Sequence, residues 1–285
     1  MLPFDEEILD KVEAQLRLNC PSPESEIAGL GRIAAHLPDS EETARIRRLV
    51  IDVDDLTAQA RWHLGYALLL METQPHILDN KEPDDEIERM IRAGVPSGAL
   101  LLLRGYIREA DRVLYSDLSA QRQGGTVAGW IFHMMIDSAI YRIISALDRL
   151  AHILWYAANL PLQDKYGVKA RIYFRSKKIE KIHSVINDSH SQELLRIANE
   201  PILDFAITYR DGLTHDAKTY SKVAGSMPID EWTTPDGKRF VMRDEEMTAD
   251  WLFALANATY HQLLEALKPS VAICETQFSS KLPAG

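Results

Sequence analysis

The sequence predicts a mainly α-helical fold, an antiparallel helix bundle with one short β-hairpin inserted late in the chain. Apolar residues recur three or four positions apart over most of the chain, which is the period of an amphipathic helix. A strand-like pattern occurs only around residues 227–243, where Thr234-Pro235-Asp236-Gly237 fits a type I turn. The longest helical run alternates spacings of four and three and predicts the central seam of the bundle: Ile136, Ile140, Ile143, Leu147, Leu150, Leu154 and Ala157.

Composition limits the classes of protein that fit. The 285 residues are 46% hydrophobic, which suits one large domain or two small ones. The formal net charge of −10 argues against a general nucleic-acid binder, so any RNA contact has to use a local basic patch. Cys20 and Cys274 lie far apart, which indicates neither a disulfide framework nor a zinc site. Without a signal peptide or a membrane-spanning stretch, the sequence predicts a cytoplasmic protein with no membrane partner.

The first 96 residues are predicted to form an N-terminal helical accessory region. Amphipathic helices are expected in three ranges, 5–19, 24–37 and 41–71. This part of the chain is rich in Asp and Glu, which indicates a solvated acidic face or an acidic surface that covers or binds a partner. Residues 74–85 combine prolines with polar residues and predict the loosest connection in the chain.

Residues 97–270 are predicted to form the helical bundle, and residues 271–285 a C-terminal tail. Helices are expected at 97–122, at 126–160 and at 191–198. Pro201 predicts a kink or a restart, with Asn199 as the cap of the following helix. Pro269 is expected to end the last long helix.

A short stretch that we call the motif segment, residues 210–215, carries the chemistry that the sequence singles out. Gly212 is expected to end the preceding helix, which places Arg210 and His215 together in its exit turn. An arginine can hold a phosphate with two hydrogen bonds, and a histidine exchanges a proton near neutral pH. Together they suit cleavage of a phosphodiester without a metal ion or another cofactor.

The motif segment resembles the R-x4-6-H motif of the HEPN superfamily (higher eukaryotes and prokaryotes nucleotide-binding). The stretch 141–151 also resembles a core helix of clostridial-type HEPN proteins, and the resemblance covers roughly residues 97–268. It implies a homodimer in which two motif segments face one cleft, and a metal-independent endoribonuclease with a toxin or phage-defence role and a neutralising or regulatory protein partner. The catalytic residues would be Arg210, His215 and Asp211. Asp211 departs from the asparagine that many members carry there, and its charge disfavours RNA binding.

A second stretch, residues 169–183, is strongly basic in an acidic chain, and we call it the basic segment. Cations with interleaved aromatic residues can hold a phosphate backbone and stack a base. The candidate RNA-binding residues are Lys169, Arg171, Tyr173, Arg175, Lys177, Lys178 and Lys181. Equally, the segment can be a basic face that pairs with the acidic N-terminal part.

Asp148 and His152 lie one helical turn apart, on a face of the central helix that also carries Asp137 and Tyr141. They are either a satisfied half-buried polar pair or a pair that orients the motif segment from the neighbouring helix. Two alternatives to an endoribonuclease stay open: a non-catalytic HEPN-like module that binds RNA, a nucleotide or a protein, and a purely structural helical protein.

Overall fold

The computed structural model describes residues 6–73, 127–163, 170–215, 231–233, 239–241 and 249–279. Its elements are α1 (Glu6–Asn19), α2 (Glu24–His36), α3 (Glu41–Thr73), α4 (Val127–Ala157), α5 (Ser176–Ile186), α6 (Ser189–Ala198), α7 (Pro201–His215), β1 (Glu231–Thr233), β2 (Arg239–Val241) and α8 (Ala249–Ser279). The prediction of a mainly helical protein is therefore confirmed. The helix predicted at 97–122 lies outside the described residues.

Helices α3 and α4 form the largest helix pair in the described part of the chain, and they run antiparallel. Their contacts follow opposite orders along the two helices: Arg45 lies beside Tyr156, Asp52 pairs with Arg149, and His63 lies near Arg142. The seam predicted for α4 is confirmed, because every one of its seven residues is buried. Burial of this apolar stripe, rather than helix propensity, holds so long a helix in place.

The N-terminal helices share the core of the rest of the chain, since one continuous cluster of buried residues runs from Val12 to Phe278. Polar contacts also join the α1–α2 turn to α8. The Tyr260 hydroxyl donates to the carbonyl of Pro21 at 3.0 Å, and the Cys20 thiol donates to the side chain of Asn257 at 3.3 Å. The described part of the predicted accessory region therefore has no core of its own, although the proposed boundary at residue 96 lies outside the described residues.

Two prolines behave differently from each other. Pro201 opens α7 after a two-residue gap that follows α6, so the predicted restart is confirmed. Asn199, however, donates back to Leu195 and completes the end of α6 instead of capping α7. The expectation that Pro269 ends the last helix is wrong, because α8 continues to Ser279. Buried residues lie on both sides of this proline, among them Leu267 and Ile273, and their packing offsets the roughly 3 kcal/mol that a helix-interior proline costs. Residues 271–279 are accordingly helix, not tail.

The two short strands pair antiparallel, with Trp232 opposite Phe240. The turn predicted at 234–237 lies outside the described residues and stays a prediction. Of the helices in the described ranges, none is both long and apolar enough to cross a lipid bilayer.

Candidate functional site

Helix α7 is fixed to α4 by two adjacent residues. The Tyr209 hydroxyl donates to Asp137 at 2.6 Å, and the Arg210 guanidinium donates to Asp148 at 3.3 Å. The two aspartates are eleven residues apart, three helical turns or about 16 Å, so they lie on one face of α4. Helix α7 therefore crosses α4 between them, and the position of Arg210 is set by this crossing.

Asp148 uses both carboxylate oxygens. One accepts the Arg210 guanidinium, and the other accepts the backbone N–H of Phe174 at 2.9 Å. The side chains of Arg210 and Asp148 are only 14% and 17% exposed to solvent, so this ion pair is largely withdrawn from water. Burial raises the pKa of Asp148, while the Phe174 N–H, Arg210 and Arg175 oppose that rise. One carboxylate thus connects the motif segment to the basic segment.

The basic segment enters the site in an alternating pattern. Ile172 and Phe174 are buried, whereas Arg171, Tyr173 and Arg175 are exposed. The two buried side chains and the Phe174–Asp148 hydrogen bond hold the backbone, so the exposed residues are presented from an anchored stretch of chain. Tyr173 is 41% exposed between two arginines, the arrangement that combines a stacking surface with phosphate-binding cations.

Two of the candidate lysines have a packing role as well. The ammonium groups of Lys178 and Lys181 lie over the ring of Trp155, 5.7 and 5.1 Å from its centroid. Trp155 is buried, and its indole N–H donates to the carbonyl of Pro161 at 3.1 Å. Lys177 is exposed, and within the described residues only Lys178 and Lys181 lie over this ring. Lys169 lies outside the described residues.

For four cations of the basic segment, the proposed pairing with the acidic N-terminal part is absent among the described residues. There, no carboxylate forms an ion pair with Arg171, Lys177, Lys178 or Lys181. Within the described residues, the N-terminal carboxylates that form ion pairs do so with other cations: Glu13 with Arg17, Asp39 with Arg47, Glu41 with Arg45, Asp52 with Arg149 and Glu72 with Lys11.

The motif segment differs from the expectation in one respect. Gly212 does not end the helix, because α7 continues to His215. The five-residue separation puts positions 210 and 215 about 7.5 Å apart along the axis and about 140° apart around it. The contacts of Tyr209 and Arg210 with α4 hold the helix just before Gly212, which offsets a cost of about 1 kcal/mol for a helical glycine. The side chains of Asp211 and His215 lie outside the described part of the structure.

Of the two residues predicted to orient Arg210, the structure brings Asp148 to it, and His152 lies half-buried one turn further along α4. Sequence reasoning missed the contact of Asp148 with the Phe174 amide, and no sequence pattern marks a backbone donor 26 residues away. It also missed the pairing of Tyr209 with Asp137, although Asp137 and Asp148 share a face in the sequence.

Arg210→Ala is expected to destabilise the protein in a pH-dependent way. Removing the guanidinium takes the paired cation from a largely buried carboxylate, at a cost of about 2–4 kcal/mol near pH 7, and raises the pKa of Asp148 further. A carboxyl group whose pKa is higher in the folded than in the unfolded protein stabilises the fold when it is protonated. This contribution is fully present below the pKa of the unfolded state, about 3.9, and is lost as the pH rises through the pKa of the folded state. The loss caused by the mutation should therefore grow between pH 4.5 and 7.5 in denaturant unfolding.

Arg196→Ala is the matched control for that measurement. Arg196 contacts Glu193, Glu200 and Glu265, but these side chains are each between 33% and 49% exposed, so the variant should lose about 1 kcal/mol or less. Equal destabilisation of Arg210→Ala at both pH values would contradict the assignment of the effect to Asp148.

Comparison with known proteins gives no match: no protein-family model, no characterised protein and no solved structure is significantly similar to this chain. The class of protein is defined by the site itself. It is a mainly helical protein that places a largely buried arginine, held by a carboxylate, next to an exposed basic and aromatic surface.

Proposed function

We propose that this protein is a metal-independent endoribonuclease of the HEPN type, with Arg210 and His215 as its motif residues. The fold that this proposal expects is an antiparallel helix bundle with a short β-hairpin insertion. A toxin or phage-defence role, and a protein partner that neutralises the activity, belong to the same proposal.

The observation that carries the proposal is the connection made by Asp148. Its carboxylate holds Arg210 on one side and the backbone of the basic segment on the other. A strand of RNA that follows the exposed cations Arg171 and Arg175 would bring its phosphates toward Arg210. An arginine that is held by a carboxylate is already oriented, so less freedom is lost when it binds an anion.

In the proposed reaction the 2′-hydroxyl attacks the neighbouring phosphorus, and the bond from phosphorus to the 5′-oxygen breaks. His215 accepts the proton of the attacking hydroxyl or donates one to the leaving oxygen, and Arg210 stabilises the charge on the phosphorane. Asp211 helps to maintain the geometry. The products are a 2′,3′-cyclic phosphate and a 5′-hydroxyl. A homodimer with two motif segments at one cleft would supply the acid and the base together.

The second candidate function is a non-catalytic module that binds RNA, a nucleotide or a protein. The observation that favours it is the set of cations in the basic segment that form no ion pair within the described residues: Arg171, Lys177, Lys178 and Lys181. Such a surface binds phosphates whether or not the motif segment is catalytic.

The experiment that tests the proposal is incubation of the protein with end-labelled single-stranded RNA in EDTA, followed by analysis of the product ends. The endoribonuclease should cut the RNA in the presence of the chelator and leave cyclic phosphates. Retention of RNA on the protein without cleavage would favour the binding module. Cleavage that stops in EDTA would contradict the proposed mechanism, because neither Arg210 nor His215 chemistry needs a metal.

A further inference from the structure

Asp148 occupies the place that an anion would take in a phosphate site. Its carboxylate accepts from a guanidinium and from a backbone N–H, the two donors that commonly hold phosphate oxygens, and it lies in the field of Arg175. While Asp148 is ionised, it satisfies part of Arg210 and cancels its charge. A phosphate approaching Arg210 therefore meets a competing anion 3.3 Å from the guanidinium.

The two hydrogen bonds of Asp148 respond differently to a proton. A neutral carboxyl group still has a carbonyl oxygen that can accept the Phe174 N–H, so the basic segment stays anchored. The attraction for Arg210 loses its ionic part, so Asp148 competes less strongly with another anion for the guanidinium. Proton uptake at this one group would weaken the competition for the motif arginine without releasing the basic segment.

We propose that Asp148 is a positioning residue that links phosphate binding at Arg210 to the uptake of one proton. This inference rests on the proposed role of Arg210 as the phosphate clamp. Within the described residues, the charged groups that act on the carboxyl are Arg210 of α7 and Arg175 just before α5, and the titratable His152 lies one turn along α4. Burial already raises the pKa of Asp148, which brings proton uptake closer to neutral pH.

The test is the pH dependence of RNA binding, measured with an RNA that cannot be cleaved. A fluorescein-labelled, 2′-O-methyl single-stranded RNA lacks the attacking hydroxyl, and its affinity can be followed by anisotropy between pH 5 and pH 8 at constant ionic strength. The wild type should bind about tenfold or more tightly at pH 5 than at pH 8, since each unit of linked pKa change corresponds to a factor of ten.

Two variants separate Asp148 from general charge effects. Asp148→Asn should bind about tenfold more tightly than the wild type at pH 8 and should lose most of the pH dependence. Asp137→Asn is the matched control, because Asp137 is an aspartate on the same face of α4 that accepts from Tyr209, the neighbour of Arg210 in α7. It should keep the wild-type pH dependence, including any part that comes from histidines. Asp148→Glu should restore the pH dependence that asparagine removes.

The same pH dependence in Asp148→Asn and Asp137→Asn would overturn the inference. Failure of the wild type to bind RNA at every pH would instead count against the proposed function. In that case the carboxyl ¹³C signal of Asp148, titrated with and without inorganic pyrophosphate, decides the linkage. A higher pKa in pyrophosphate supports it, and an unchanged pKa overturns it, even if an Asp148 variant does not fold.

Discussion

His215→Ala is expected to reduce the rate of RNA cleavage in EDTA by about two to four orders of magnitude, the usual contribution of a general acid or base. In the proposed reaction, neither a water molecule nor another side chain of the same copy can take over the proton transfer that His215 performs. RNA affinity should change little, because the mutation removes a group that acts during the reaction and leaves Arg210 and the basic segment in place. Cleavage is measured with end-labelled RNA, and binding with the 2′-O-methyl analogue.

His190→Ala is the matched control for this change. His190 is an exposed histidine in the first turn of α6, outside both the motif segment and the basic segment. It should keep the wild-type rate. Full activity in His215→Ala would exclude His215 from catalysis. Equal losses in both variants would show that the assay reports a general effect of removing a histidine.

The combined change Arg171→Glu and Lys177→Glu is expected to weaken RNA binding by about ten- to a hundredfold near 0.15 M salt. Both side chains are exposed and form no ion pair within the described residues, so the free energy of unfolding should change by about 0.5 kcal/mol or less. Losing two phosphate contacts should also reduce the slope of log affinity against log salt by about 1.4 for a single strand. Anisotropy over a salt series measures both quantities.

The control is a second double variant, Arg17→Glu with Lys268→Glu. It changes the net charge by the same amount, at exposed positions of α1 and α8. This control should retain most of the affinity and nearly the wild-type slope. If both double variants lose affinity equally, the effect comes from the total charge of the protein, and the basic segment is not the RNA surface. Lys178 and Lys181 are unsuitable for this experiment, because their contacts with Trp155 would mix packing with RNA binding.

The sequence predicts the helices well where one periodic signal extends over many turns. The seam of α4 is such a case, since apolar residues at spacings of three and four can be buried together only on a helix. The errors occur at single residues that usually end helices. Gly212 and Pro269 are both inside helices, because contacts with distant parts of the chain outweigh their local preference.

The candidate site was predictable in part. Arg210 and the basic segment were identified from residue type, and Asp148 from the face that it shares with Asp137. The hydrogen bond that joins these parts was not predictable, because its donor is the peptide N–H of Phe174, which every residue except proline also has. Only the folded chain shows that the two candidate segments meet at one carboxylate.

The double use of the Asp148 carboxylate has a consequence for how this protein can evolve. A lineage that lost Arg210 alone would keep a buried charge without this counterion, and a lineage that lost Asp148 alone would deprive a guanidinium of its carboxylate partner and a peptide N–H of its acceptor. Either single step lowers fitness through folding before it affects any reaction. We therefore expect positions 148 and 210 to covary among relatives, and to diverge together in branches that have abandoned the motif.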